Sequence, residues 1–461
     1  MLFLLANLVG PILKNLNTDG NGKSGLKKTL GYFSLTNIVV ANMIGAGIFT
    51  TSGLLIARLY DPVLMLALWL AGGGLALCGA LSYAELGSNY PEAGGEYTFL
   101  SRLFSPLPGF LSGWVSFVVG FSAPIAASSL AFSEYLVRTF PPDGISADPS
   151  LIKKGLAVGI IILFTTIHSL GLRSGSRFQN FLTMIKILLI AGFLFAGFAF
   201  GDGSMEHFTQ QITGSYGHAR FRSVGWALIL IMFSYSGWNA STYVGSEVRK
   251  PGRNIPRSLI TGTLVVTLIY LALNLLYIYA IPADAMSDEI AIGGLAANRL
   301  FNISADRFFS GFIALILLSS ISAYIIIGPR VYFAMSEAGH FFRIARRVNR
   351  YNVPGISILA QSLLSLVFVV TGTFDQILTL LGFSLGVFPI LSVIGVFKLR
   401  MKRGSVLKMP GYPVVQILFI VVSTAILVLT FMERPAESGI ALAVIAAGVP
   451  VYFLVKKFHS V

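Results

Sequence analysis

Ile44-Gly45-Ala46-Gly47-Ile48-Phe49 sits in the middle of an apolar run from Phe33 to Ala57. Two glycines one residue apart disfavour a helix interior, each by about 1 kcal/mol relative to alanine. Inside a bilayer an interrupted helix also leaves backbone N–H and C=O groups unpaired. Such a break is tolerated only where the bare backbone lines a cavity or meets a ligand. Small residues equally allow close helix packing in lipid, so this stretch alone leaves both readings open.

The rest of the chain says that the solvent is a bilayer. Hydrophobic residues make up 55% of the 461 and charged residues 11%, against about 25% charged in a soluble protein. Mean hydropathy is +0.79. The chain reads as an all-α polytopic membrane protein. Its net charge is +14, but the bases cluster between apolar runs, as the positive-inside rule expects. That placement accounts for the charge without a nucleic-acid partner. The single cysteine, Cys78, lies within an apolar run and cannot form an internal disulfide. Met1 to Pro11 is apolar, but it lacks a basic leader and a clear cleavage site. A short interfacial helix is expected there. The sequence contains no P-loop, no H-E-x-x-H and no cysteine–histidine metal spacing. No cofactor, no metal and no enzymatic activity are expected.

About 20 apolar residues cross a bilayer as helix. Twelve spans fit: Phe33–Ala57, Val63–Leu86, Gly109–Val137, Leu156–Leu170, Phe178–Phe200, Val224–Val244, Leu259–Ala280, Phe308–Phe333, Ile356–Thr371, Ile377–Phe397, Val414–Met432 and Ile440–Val455. With the N-terminus inside, 22 Lys and Arg fall on inner segments and 9 on outer ones. Both termini are therefore expected in the cytoplasm.

A second break lies in the sixth span, at Phe233-Ser234-Tyr235-Ser236-Gly237-Trp238-Asn239. Ser, Gly and Asn are weak helix formers. Interrupted helices at matching positions of two halves of opposite topology point to an inverted-repeat transporter with a midplane site. The outer half-helix of span one presents free N–H groups and a positive dipole end. Gly45, Ala46 and Gly47 are placed to offer these to a carboxylate. The ends of the other half-helices present carbonyls that suit an ammonium. An α-amino acid carries both groups on one carbon.

The chain resembles the amino acid–polyamine–organocation superfamily, most closely its L-type amino acid transporter branch. The resemblance rests on Ile44–Phe49, Gly79–Gly87 with Ala93–Tyr97, Phe233–Asn239, Ser246–Ser258 and Gly328–Phe342, in that order. It implies a LeuT-type fold with two inverted five-helix repeats. Residues 1–32 would form a cytoplasmic arm, 33–201 the first repeat and 202–400 the second. Two C-terminal helices and a tail would fill 401–461. The resemblance places carboxylate binding on the backbone of Gly45, Ala46 and Gly47, and amine binding on the carbonyls of Met43 or Ile44, Phe233 and Ser236. Phe233 matches an aromatic gate; Gly237, Trp238 and Asn239 match the lining of the same cavity. Ala46 replaces a common Ser, which leaves the backbone donor in place. Ser236 replaces a common Gly and would narrow the pocket against large aromatic substrates.

Lys186 lies about 12 Å along the fifth span from Phe178, at 1.5 Å per residue. An intramembrane charge is a functional candidate by default. The resemblance implies that this ammonium stands in for a sodium ion and bridges span one to span eight. Ser319, Ser320 and Ser322 are its candidate partners. Whether Lys186 also releases a proton in the cycle stays open at this point. Glu85 and Glu247 read as gate or loop contacts, and Glu134 as a solvated carboxylate or a contact for a cationic substrate. His168 reads as a packing residue, and Arg330 as a snorkelling side chain or the partner of an inner-gate carboxylate. Asn302-Ile303-Ser304 fits the glycosylation pattern.

The expected function is sodium-independent secondary transport of α-amino acids, neutral and small to mid-sized, as an exchanger or a proton symporter. An amino-acid sensor without transport and a carrier for cationic amino acids are the alternatives. A channel would need a filter-like repeat and leaves both breaks unexplained. The plasma membrane, or the inner membrane of a bacterium, is the expected location. Eukaryotic L-type members often join a glycoprotein through a cysteine between spans three and four. The loop from Thr139 to Lys154 contains none, so no disulfide-linked heavy chain is expected.

Overall fold

In a computed structural model the described residues are 28–141, 148–170, 172–209, 219–301, 303–351, 353–372, 374–402 and 407–459. The N-terminal arm to residue 27 and Asn302 lie outside them. Every regular element among the described residues is helical. Among the described residues ten helical segments are long and apolar enough to cross a membrane, and two shorter apolar helices, Ser223–Tyr235 and Gly355–Thr371, complete a series of twelve.

The first predicted span is two helices, α1 (Tyr32–Met43) and α2 (Ala46–Leu59). Next comes α3 (Pro62–Asn89), started by Asp61, whose carboxylate accepts from Leu64 N at 3.0 Å, with Pro62 in the first turn. A short helix, α4 (Glu96–Leu103), precedes the third span. That span is α5 (Pro106–Val115), a π-helical turn over Ser116–Gly120, and α6 (Ser122–Thr139). The fourth span is longer than its apolar run. The helix α7 (Pro149–Ser169) begins at Asp148, which caps Ser150 N, and carries Lys153 and Lys154 in its first turns. Capping chemistry, not hydropathy, sets that boundary.

Then follow α8 (Leu172–Phe200), α9 (Ala219–Tyr235) and the single turn α10 (Ala240–Tyr243). The chain continues through α11 (Pro251–Ala280), α12 (Ala283–Met286), α13 (Ile292–Leu300) and α14 (Ile303–Glu337). The last four are α15 (Gly355–Thr371), α16 (Phe374–Lys402), α17 (Val414–Glu433) and α18 (Pro435–His459).

Burial orders the bundle. The most apolar window of α1–α2 is 94% buried, against 28% for α17 and α18. Span one is therefore the central post, and the last two helices are peripheral. Around it, α11 lies against α3 and α1, α14 against α6, and α9 against α2 and α17.

Buried ion pairs hold one end of the bundle. Glu85 of α3 accepts from Arg400 Nε at 2.7 Å and Nη2 at 2.6 Å, and from Met409 N at 3.1 Å. This fixes α3 to α16 and to the segment entering α17. Glu247 accepts from Arg330 Nε at 2.9 Å, with both side chains under 5% exposed. Arg330 therefore pairs with a carboxylate and does not snorkel. Glu134 meets Lys153 at 2.7 Å, and His168 Nε2 lies 2.8 Å from Ser322 Oγ.

Candidate functional site

Both expected breaks occur, and they meet. At the first, α1 stops at Met43, Ile44 and Gly45 are non-helical, and α2 begins at Ala46. At the second, α9 stops at Tyr235 and the chain turns through Ser236–Asn239 before α10. Gly237 has φ +99°, and a Cβ there would lie 2.7 Å from Asn42 Cβ. Glycine is required on both counts. A Cβ on Gly47 would lie 2.3 Å from Ser234 Oγ and 2.8 Å from Ser234 Cα. The two breaks are pressed together at two glycine contacts.

A helix end in an apolar interior must have its free carbonyls satisfied. Side chains from three other helices do this at the first break. Lys186 Nζ of α8 donates to Ile44 O at 2.5 Å and to Ala41 O at 3.3 Å. Tyr324 of α14 donates to Asn42 O at 2.7 Å. Tyr270 of α11 donates to Met43 O at 2.5 Å and to Ser234 O at 2.8 Å, and so touches both breaks. Ser320 donates to Ile44 O at 2.6 Å and accepts from Lys186 at 2.8 Å.

Lys186 is fully buried and bridges span one to Ser320 of span eight. Ser319 does not join it. Its hydroxyl meets Gln179 Nε2 at 3.2 Å and Thr183 Oγ1 at 3.3 Å. Ser322 is taken by His168. Neighbouring helix residues point about 100° apart, at 3.6 residues per turn, so Ser319 and Ser320 cannot face one ammonium together.

The other side of the first break opens a helix. Gly45 is the cap residue of α2 and has no side chain to bond its first N–H groups. Helix geometry leaves the N–H groups of Ala46, Gly47 and Ile48 without intrahelical acceptors. Gly45 N itself donates to Met43 O at 2.8 Å. Met43 and Ile44 carbonyls thus each accept two hydrogen bonds, which fills a carbonyl's capacity. The Phe233 carbonyl accepts from Ser236 N at 2.9 Å.

Beside the breaks lies a cavity of about 100 Å³, lined in part by Asn42, Phe233, Ser236, Gly237, Trp238 and Asn239. Tyr324, and Ser384 and Phe388 of α16, also face it. Met43, Ile44, Gly45, Ala46 and Gly47 are not among the residues that line it. Trp238 packs edge-on against Tyr83, with centroids 4.7 Å apart, and against Phe419 at 6.0 Å. At the α4 end of the cavity Glu96 Oε1 accepts from Asn239 Nδ2 at 2.6 Å and from Tyr83 OH at 2.9 Å. Asn239 Nδ2 also reaches Tyr243 OH at 3.0 Å.

The family model for amino acid permeases matches residues 30–454, nearly the whole chain. The chain belongs to the amino acid permease family. It is 28% identical to the serine/threonine exchanger SteT of Bacillus subtilis (strain 168), over 96% of this chain and 99% of that one. It is 26% identical to the b(0,+)-type amino acid transporter 1 of Mus musculus, over 94% and 88%. A third relative, the large neutral amino acids transporter small subunit 2 of Homo sapiens, is 27% identical over 95% and 82%. This permease is thus a membrane transporter, not an enzyme.

Four residues of the candidate site escaped the sequence reading: Tyr83, Glu96, Tyr270 and Tyr324. A broken helix demands donors for its carbonyls, but the apolar runs hold many tyrosines and do not say which ones point inward. Glu96 follows two glycines in Ala93–Tyr97, and both have positive φ, Gly94 at +113° and Gly95 at +54°. That glycine pair turns the start of α4 toward the cavity, and was the available signal.

Proposed function

We propose that this permease carries α-amino acids by alternating access without sodium, with its termini in the cytoplasm and residues 33–201 and 202–400 as inverted repeats. The observation that carries the reading is the Lys186 ammonium, held between the Ala41 and Ile44 carbonyls of span one and Ser320 of span eight. A buried cation is already supplied where two spans present oxygens to each other, so no ion need be drawn from a gradient. The substrate carboxylate is assigned to the first N–H groups of α2, at Ala46 and Gly47 beside Gly45, whose own N–H is engaged by Met43 O. The ammonium is assigned to the carbonyls of Phe233 and Ser236, because those of Met43 and Ile44 are filled. Phe233 closes over the bound molecule, with Gly237, Trp238 and Asn239 beside it. Substrate binding then requires the α2 terminus, which does not line the cavity, to become open to it.

The cavity favours small to mid-sized neutral side chains. At about 10–15 Å³ of such volume per water-sized group, 100 Å³ holds on the order of seven to ten groups. The name of the B. subtilis relative, a serine/threonine exchanger, agrees with that size. The plasma membrane, or a bacterial inner membrane, is the assigned location. No disulfide-linked heavy chain is assigned, since the only cysteine is Cys78 in the interior of α3.

Exchange in proteoliposomes tests the reading. Labelled L-serine and L-alanine should enter amino acid-loaded vesicles equally in choline and in sodium buffer. Lys186→Met should fold, as judged by a monodisperse profile, and lose most exchange. A strict sodium requirement in the wild type would refute the role of Lys186.

A further inference from the structure

We propose that Glu96 is the proton-binding group of this permease: its carboxyl binds a proton while the α4 end of the cavity is closed and releases it to water when α4 parts from Asn239. The proposal rests on the transport reading above and adds the site at which pH acts on it.

Three observations carry it. Glu96 lines the cavity yet is only 4% exposed. Its carboxyl is bonded by Tyr83 of α3, by Asn239 and by Tyr243, all of them neutral. Asn239 belongs to the broken stretch of span six, so the same contact joins the carboxyl to the helix break.

The cations around it are engaged elsewhere. On α4 itself Arg102 meets Glu92 at 3.2 Å. Arg330 of α14 is paired with Glu247, beyond α10. On α16 Arg400 is paired with Glu85, and Lys398 lies over the Phe104 ring at 4.7 Å. His340, after α14, bonds the Tyr97 hydroxyl at 2.9 Å. The other titratable neighbour is Tyr332 of α14, which lies next to Tyr243. Lys186 is held at the first break, on carbonyls of α1. Among the described residues, none of these cations forms an ion pair with Glu96.

A buried carboxylate without a counter-cation is costly, and in practice such a group keeps its proton. Burial raises the Glu96 carboxyl above its usual range, opposed by the hydrogen bonds from Tyr243, Tyr83 and Asn239. Opening this end of the cavity removes the cause. Water then reaches the carboxyl, the O–H bond breaks, and the proton passes to water on that side. As the end closes, the emptied carboxylate takes up its next proton from the opposite side, through the cavity. Cavity closure and proton uptake are therefore linked, and acid pH favours the closed state.

The test uses the full chain in proteoliposomes with labelled L-serine and L-alanine, and a trapped pH-sensitive dye. Wild-type exchange should vary with pH by up to about tenfold per unit over the titrating range, as one proton requires. With no internal amino acid, entry of either substrate should acidify the lumen. In Glu96→Gln the rate, whatever its height, should no longer vary with pH, and lumen acidification should vanish. Glu96→Asp keeps a titrating group but shortens its reach to Asn239, so the midpoint of its pH profile should shift. If Glu96→Gln fails to fold, an unshifted midpoint in Glu96→Asp overturns the proposal. A wild-type pH profile retained by Glu96→Gln also overturns it. So does sodium-free exchange that is flat with pH in the wild type, which leaves the transport reading standing. Absence of all exchange in the wild type would instead overturn the transport reading, and this proposal with it.

Discussion

Gly47→Ala separates two reasons for having a glycine at the first break. One reason is ligand approach: a side chain would keep the substrate carboxylate from the backbone. The other is packing, and the structure puts a distance on it. A Cβ on Gly47 would meet Ser234 Oγ at 2.3 Å and Ser234 Cα at 2.8 Å. The hydroxyl is already tied to Leu230 O at 3.0 Å, and the Cα belongs to the backbone of α9. Neither can yield without moving span six. Overpacking of this kind costs about 1–3 kcal/mol. Ser234→Gly removes Oγ and Cβ, at about 1 kcal/mol for a glycine inside a helix. The double variant should then be more stable than the two single changes added together, with a coupling of about 0.5–3 kcal/mol. Thermal unfolding in detergent reads the stabilities, and proteoliposome exchange reads the function. Gly47→Ala should melt below the wild type and exchange poorly, and Ser234→Gly should restore part of both. If Gly47→Ala melts like the wild type, the packing argument is refuted. If the double variant regains stability but no exchange, the glycine serves ligand approach after all.

Two further expectations come from the same geometry. Removing one partner of the buried Arg330–Glu247 pair leaves an uncompensated charge, at about 3–5 kcal/mol. Glu247→Ala should therefore unfold at clearly lower temperature than the wild type, and an unchanged melting curve would show that water reaches Arg330. Methyl esters of L-serine and L-alanine lack the carboxylate assigned to the α2 terminus and should compete weakly with their parent acids in the exchange assay; equal competition would remove that assignment.

Much of the architecture was legible because a bilayer imposes simple rules. Apolar length marked twelve spans, and Gly, Ser and Asn inside two of them marked the breaks. Lys186 stood out because a charge in mid-span is rare. What escaped is what depends on neighbours in space. Hydropathy cannot tell a lipid-facing residue from a protein-facing one, so α7 was read as starting at its first apolar residue and not at its cap, Asp148. Rotation about the helix axis separated Ser320 from Ser319, and the sequence carries no mark of that rotation. The carbonyls of Met43 and Ile44 looked available because their donors, Tyr270, Lys186 and Ser320, come from spans far along the chain. Glu85 and Glu247 were read as gate or loop contacts and Glu96 was not singled out, although it alone of the three lines the cavity.

The Tyr270 hydroxyl carries one hydrogen and points it at two oxygens, Met43 O and Ser234 O. It can be shared between both only while the two broken helices keep their present spacing. If one slid against the other, the hydrogen would go wholly to one carbonyl, and the other would lose a partner that no water can replace in a dry interior. With glycine contacts on either side, this makes Tyr270 an axle pin: spans one and six are fastened at their weakest points and should swing as a single lever.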